Sequence, residues 1–205
     1  MAYIIAGLGN PEADRDKKLK KDEENYEGTR HNTGRMVVKD IFDTEFSYDK
    51  KINALVADVK IGKEKVKLVL PETYMNNSGK AIAQLVKSVK AAEKLVVIYD
   101  DFNLPIGTVR ISFNRSSGGH NGLESIIKSI KTEAFIRIRI GIAPETVKGT
   151  AKVPHGDDKV EKFILGKFKD DEIKELNKVE KRVKEGIDIL IKEGKDKAMS
   201  MVNAG

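Results

Sequence analysis

Short apolar runs alternate with apolar stripes of helical period along this 205-residue chain. Ala2 to Leu8 is an apolar run closed by Gly9-Asn10-Pro11, which predicts a buried strand ending in a sharp turn. Met36, Val37, Ile41 and Phe42 stand at helical spacing within residues 33 to 46. Ala54 to Ile61 and Val66 to Leu70 read as two strands joined by a turn around Gly62. Ile82, Leu85, Val86 and Val89 predict a helix from Ser78 to about Lys90, with Ser78 as its N-cap. Leu95 to Tyr99 is the strongest buried-strand signal and ends in Asp100-Asp101. Further on come a strand over Thr108 to Phe113 and a helix over Leu123 to Ile130. Over Ile136 to Ile142, Ile136, Ile138 and Ile140 share one strand face and Arg137 and Arg139 the other, which suggests a non-core surface for the arginines or, equally, salt bridges to a helix. A final long helix, about Asp170 to Lys192, carries the stripe Ile173, Leu176, Val179, Val183, Ile187 and Leu190. Strands alternating with helices predict an α/β class: a single domain over residues 1–205, with a mixed, mostly covered β-sheet and helices on both faces.

Residues 12 to about 25, EADRDKKLKKDEEN, break that pattern. They are charged and almost without apolar side chains, so they bury nothing and read as a solvated insertion. Net charge is +6, which favours a polyanionic partner such as RNA, although ordinary solubility charge accounts for it at least as well. Cysteine is absent, so disulfides, thiolate nucleophiles and thiolate metal sites are excluded. No apolar run approaches the roughly 18 residues of a membrane span. The start, MAYIIAGLGN, lacks a basic region and a cleavage site, so a cytoplasmic protein is expected.

Several short motifs fail on inspection. Gly7-Leu8-Gly9 has Glu12 where a dinucleotide fingerprint needs glycine. No phosphate loop of the Walker type and no Gly-x-Ser-x-Gly elbow is present. His31, His120 and His155 are too far apart for a local metal motif. The polar residues that demand explanation sit at strand ends and in glycine-containing turns. They are Asn10, Thr29-Arg30-His31-Asn32, Tyr74 to Gly79, Asp100, and Gly118-Gly119-His120-Asn121-Gly122. In open α/β sheets, ligands bind beyond the strand carboxyl ends, where helix N-termini also expose backbone N–H groups.

Taken in order, the blocks GLGNP, YEGTRHNTG, PETYMNNSGKA, IYDDFNLPIG, SSGGHNGLESI, RIRIGI and FILGKF resemble those of the bacterial-type peptidyl-tRNA hydrolases, over nearly the whole chain to about residue 168. The resemblance implies hydrolysis of the ester between a peptide and the 3′-terminal ribose of tRNA, a task of translation and ribosome rescue. It implies no cofactor and no metal, tRNA as partner through its acceptor stem and 3′ end, no membrane, and a monomer. His31 matches the family's catalytic histidine, and an imidazole is suited to take the proton of the attacking water near neutral pH. Asp100 matches the carboxylate that orients it. Spacing alone leaves Asp101 as competitor, and an extended strand lets at most one of the two face the site. Asn10 is implied to be catalytic, separating blocked from free aminoacyl-tRNA. Asn76 and Asn121 complete a pocket of amides that donate and accept without titrating, while Asn77 reads as a turn residue.

Tyr26 and Tyr74 match site-lining aromatics, Met75 an adaptable wall, and His120 a supporting side chain beside the substrate-binding residues. Arg110 and Arg139 belong by resemblance to a cluster that contacts tRNA phosphates. Ser112 stands where the family often has lysine, and Arg115 is expected to replace that charge. Glu12 in place of glycine and the 12–25 insertion are further departures. A family relative that only holds RNA, or a generic esterase of the same fold, are the competing readings. Retention of His31, Asp100 and the three asparagines favours the enzyme.

Overall fold

The computed structural model describes residues 2–11 and 26–204. The charged insertion lies outside them. Among the described residues, seven strands form one sheet in the order β2-β3-β4-β1-β5-β7-β6. They are β1 (Tyr3–Gly7), β2 (Ser47–Asp49), β3 (Ala54–Ile61), β4 (Glu64–Pro71), β5 (Leu95–Pro105), β6 (Val109–Phe113) and β7 (Ile136–Ala143). The four central strands β4, β1, β5 and β7 run parallel, and β2, β3 and β6 add antiparallel edges. Parallel neighbours need helical crossovers, which place helices on the faces of the sheet.

The helices are α1 (Thr33–Ile41), α2 (Ser78–Leu85), α3 (Val89–Ala92), α4 (Asn121–Ile130), α5 (Asp157–Ile164), α6 (Asp170–Glu193) and α7 (Lys195–Ala204). Strand alternation divides the core in two. Ile5, Val96, Ile98 and Ile138 pack with Val37 and Val38 of α1 and with Leu176, Val179, Val183 and Leu190 of α6. Ala6, Val69, Val97 and Tyr99 pack on the opposite face with Ile82 of α2 and with Leu123 and Ile126 of α4. The mixed sheet covered on both faces is the class that the patterning predicts. Among the described residues no helix is long and apolar enough to cross a membrane.

Four features depart from the sequence reading. The 78–90 helix is two helices: α2 stops at Leu85, and the Ser88 hydroxyl then accepts from Ala91 N at 3.2 Å to open α3. Ser78 is the first residue of α2 and makes no N-cap bond; its hydroxyl donates to the Met75 carbonyl at 2.8 Å. The LVVIY strand continues through Asp100 and Asp101 to Pro105, because β7 pairs with both positions. The patterning also misses β2, which has only three residues, and the helices α5 and α7.

Close approach of α1 to the sheet sets the geometry of the site. A Cβ at Gly34 would overlap the Ile98 carbonyl oxygen of β5, so only glycine lets the first turn of α1 lie against that strand. Arg35 N donates to the Leu8 carbonyl at 2.8 Å, and the Arg35 guanidinium holds the Pro71 carbonyl at 3.1 Å and the Glu72 carboxylate. The turns after β1 and β4 are thereby fixed to the start of α1.

Further along, α1 and α6 set two carboxyl groups against each other. Burial pushes Glu180 up to about 7, and the charge of Asp40 and a hydrogen bond with it add to that shift. A carboxyl raised in the folded state binds more protons there than in the unfolded chain. Stability therefore declines as pH rises from the ordinary carboxyl value near 4.5 through about 7. Glu180→Gln is expected to raise the melting temperature at pH 8 and to change it less at pH 5, measured by thermal unfolding.

Candidate active site

Of the residues singled out by sequence, Asn10, His31, Met75, Asp100 and His120 are brought together at the carboxyl ends of β1 and β5. Gly9 and Asn10 follow β1. Asn10 N–H donates to Asn32 Oδ1 at 2.8 Å, and Asn32 Nδ2 donates to the Asn10 carbonyl at 3.0 Å. This reciprocal pair holds the Asn10 backbone, and Asn32 is fully buried. Asn10 Oδ1 accepts from the Met75 N–H at 2.7 Å. Asn10 therefore ties the turn after β1 to the turn before α2. Met75 itself is buried in the α2–α4 core.

His31 lies in a single 3-10 turn, Arg30–Asn32, that leads directly into α1. Arg30 anchors this turn. Its N–H donates to the Gly166 carbonyl at 3.0 Å, and its guanidinium donates to the Lys167 carbonyl and Glu172 Oε2, each at 2.7 Å. The same guanidinium stacks between Phe163 and Phe168 at 4.7 and 5.2 Å from their ring centres. Thr29 also bridges to Lys167. The histidine is thus held from one side by α1 and from the other by the segment linking α5 to α6.

Asp100 sits on β5 with the parity of Val96 and Ile98, the face that packs on α1. It is 2% exposed and His31 is 6% exposed. His31 Nδ1 lies 2.9 Å from Asp100 Oδ2. His120 reaches the same carboxylate from the α4 layer, with Nε2 3.2 Å from Oδ1. Burial would raise the Asp100 carboxyl, but the charge of His31 and the hydrogen bonds of both imidazoles hold it far below the ordinary carboxylate range. Burial would likewise lower His31, yet the facing Asp100 charge and their hydrogen bond leave it above its ordinary value of 6.5. Asp101 has the opposite parity and accepts from Arg139 Nε at 2.8 Å. Strand alternation thus turns Asp100 toward His31 and Asp101 toward Arg139.

Tyr26 and Tyr74 meet edge to face, with ring centres 6.3 Å apart, and Tyr74 is 63% exposed. Asn76 and Asn121 are exposed, and Asn76 Oδ1 accepts from Asn77 Nδ2 at 3.0 Å. A cleft of about 480 Å³ runs past Asp100 and His120 and is lined by Arg110, Arg115, Arg137 and Arg139. Register places Arg110 directly opposite Arg139 and Ser112 opposite Arg137.

Arg137 corrects the expectation that both strand arginines form a non-core surface. It is 1% exposed. Its Nη1 donates to the Glu133 and Phe135 carbonyls at 3.1 Å, its Nη2 to the Arg115 carbonyl, and its guanidinium lies 3.9 Å from the Phe135 ring centre. Period-two alternation marks a face but does not say whether a loop covers it. Asn32, Arg30 and Arg137 were not singled out for roles. Asn32 and Arg30 lie inside a quoted block, and only their non-local partners reveal what they do.

The three ligand-type side chains His31, Asp100 and His120 have atoms within 4.8 Å of one another, so the fit of a metal ion there needs testing against their hydrogen bonds. His120 Nδ1 accepts from the Gly122 and Leu123 N–H groups at 3.1 and 3.3 Å. The remaining hydrogen of a neutral His120 is therefore on Nε2, the nitrogen that faces Asp100. A cation at that point would meet an N–H rather than a lone pair, so the three residues fit a hydrogen-bonded triad better than a metal.

The buried histidine–carboxylate pair lies at the carboxyl ends of a covered α/β sheet, where folds of this class place their ligand sites. The family model described as peptidyl-tRNA hydrolase matches residues 4–205, and the chain belongs to that family. A peptidyl-tRNA hydrolase of Caldicellulosiruptor saccharolyticus is 39% identical over 208 aligned positions, covering 99% of this chain and 97% of the relative. One of Prochlorococcus marinus is 36% identical over 209 positions, covering 98% and 93%. The crystal structure of peptidyl-tRNA hydrolase from Acinetobacter baumannii superposes with a TM-score of 0.82 at 27% identity, over 99% of this chain and 95% of that one. Family membership carries the reaction, hydrolysis of peptidyl-tRNA, and tRNA as the carrier of the substrate.

Proposed function

We propose that the chain hydrolyses the ester between the peptide and the 3′-terminal ribose of tRNA without a metal, with His31 as general base. The observation that carries this reading is the buried Asp100 carboxyl with His31 Nδ1 2.9 Å from its Oδ2. A carboxylate only accepts hydrogen bonds, so His31 Nδ1 is the donor and Nε2 keeps its lone pair. Nε2 takes a proton from water as the water oxygen bonds to the ester carbonyl carbon, giving a tetrahedral oxyanion and an imidazolium. Asp100 stabilises that imidazolium. Collapse of the intermediate breaks the bond to the ribose oxygen, and the imidazolium returns the proton to that leaving oxygen. Peptide acid and tRNA depart, with every proton accounted for.

Asn10 supplies discrimination. Its Oδ1 is engaged by Met75 N–H, so the group it offers substrate is the Nδ2 donor. A carbonyl of a peptide accepts from that donor, whereas the ammonium of a free aminoacyl-tRNA meets it as donor against donor. Asn76 and Asn121 flank the substrate with further amides that cannot compete for the proton of His31. Tyr26 and Tyr74 form an aromatic wall suited to the terminal base or a substrate side chain. Met75 contributes through its backbone N–H and by filling the core behind the amides.

The tRNA phosphates are assigned to the cleft of Arg110, Arg139 and Arg115. Two like charges directly opposite on paired strands repel each other, and Asp101 neutralises only Arg139. An anion placed between them relieves that repulsion. Ser112 faces the buried Arg137 guanidinium, so a small side chain suits this position. The outer positive charge then falls to Arg115, which is exposed beside the cleft.

Hydrolysis of an N-blocked aminoacyl-tRNA tests the base. His31→Ala is expected to lower kcat on the order of 10²–10⁴-fold, and equal rates for variant and wild type would refute the assignment. Asp100→Asn is expected to lower kcat on the order of 10³–10⁴-fold. It should also move the acid limb of the profile to lower pH, since the charge that raises His31 is gone. For the cleft, Arg115→Glu is expected to weaken tRNA binding and to flatten its log–log salt dependence by roughly one; an unchanged slope contradicts the contact.

A further inference from the structure

Asp100 has two oxygens and two imidazole partners, and the reaction proposed above uses only one of them. The second, His120, is not oriented by Asp100 alone. It is the N-cap residue of α4, and its Nδ1 accepts from the N–H groups of Gly122 and Leu123 at 3.1 and 3.3 Å. Those donors are backbone groups at a helix N-terminus and cannot turn away. The ring edge is further fixed by Tyr99, whose ring centre lies 4.9 Å away in an edge-to-face arrangement. Protonation of Nδ1 would break both cap bonds and add positive charge at the positive end of the α4 dipole. These two bonds leave the Nε2 hydrogen of His120 aimed at Asp100 Oδ1 at 3.2 Å.

We infer that His120 is a positioning residue, a fixed Nε2–H donor that holds the Asp100 carboxylate by its second oxygen and limits how strongly Asp100 binds the proton of His31. This rests on the reading of His31 as the base. A carboxylate that accepts from one donor only is a stronger base toward that donor than one shared between two. With His120 in place, Asp100 orients His31 without driving it to the imidazolium before water arrives. The His31 and His120 ring centres are 5.0 Å apart, so two charged rings would also repel, and the α4 cap prevents that. The other charged groups near the carboxylate do not replace this donor. Asp101 is held by Arg139, and Arg137 is bound to backbone carbonyls. The Tyr99 hydroxyl, raised by burial and by Asp101, stays neutral. The α4 N-terminus thus acts on the base through two hydrogen-bonded side chains, from the opposite face of the sheet.

Two substitutions separate the roles of the two ring nitrogens. In His120→Asn the amide oxygen replaces Nδ1, keeps the α4 cap, and is too short to reach Asp100. In His120→Gln the amide nitrogen replaces Nε2, keeps the donor, and gives up the cap. With N-blocked aminoacyl-tRNA as substrate, His120→Asn is expected to lower kcat about tenfold with little change in KM. Its acid limb of kcat should move to higher pH, opposite to Asp100→Asn. The NMR titration of the His31 ring should move upward with it, while His120→Gln leaves that titration where the wild type has it. An unmoved His31 titration in His120→Asn, or the same displacement in both variants, would overturn the inference. A His31 titration that moves while the acid limb of the rate stays put would keep the coupling and instead refute His31 as the base.

Discussion

A buried carboxylate can only accept hydrogen bonds, and in this protein that rule fixes the protonation of everything around it. Asp100 is 2% exposed and has a histidine nitrogen on each oxygen. Because it accepts from both, His31 must donate through Nδ1 and His120 through Nε2. His31 is left with a bare Nε2, which is the atom a hydrolytic base needs. His120 is left with an acceptor at Nδ1, which the first turn of α4 occupies. Each tautomer is determined by a neighbour, and His31 can take a proton at Nε2 while its Nδ1–H stays on Asp100.

The fold is arranged to bring these three together. Asp100 lies where β5 leaves the covered part of the sheet, so the layers on its two faces both reach it. His31 comes from the turn before α1, and His120 from the start of α4. The approach of α1 depends on Gly34, whose missing side chain lets the helix touch β5. The His31 turn is held from behind by Arg30, which contacts Phe163 of α5, Glu172 of α6, and the Lys167 carbonyl and Phe168 ring between them. Asn32, next to the base, clamps the Asn10 backbone. Adjacent residues in the chain thus serve anchor, base and clamp, and a displacement of this short turn would disturb all three.

Much of this was legible before any coordinates. Apolar runs and alternating apolar positions located β1, β3, β4, β6, β7 and the start of β5, because each of these strands buries at least one face. The helical stripe of α6 was equally plain. What escaped has physical reasons. Asp100 and Asp101 look like a strand terminus, yet both stay in register with β7. The helix after Ser78 broke at Val86 because Ser88 offered a new cap, a local bond that apolar periodicity does not register. Arg137 was placed on an open face, since alternation cannot report that its guanidinium is enclosed by backbone carbonyls and the Phe135 ring. At the site, the resemblance pointed to His31, Asp100 and Asn10. The link from His120 to Asp100, and the clamp by Asn32, depend on contacts between separate turns and were not readable from spacing.

The most direct test of the account is the tautomer of His31 in the resting protein. Nitrogen-15 NMR of the histidine rings, near or slightly above neutral pH, distinguishes a protonated Nδ1 from a protonated Nε2. The account predicts His31 with its hydrogen on Nδ1, a strongly deshielded proton shared with Asp100, and an unprotonated Nε2. It predicts the reverse for His120, with hydrogen on Nε2. A neutral His31 carrying its hydrogen on Nε2 would contradict the account, because the lone pair would then face Asp100 and leave nothing to take the proton of water.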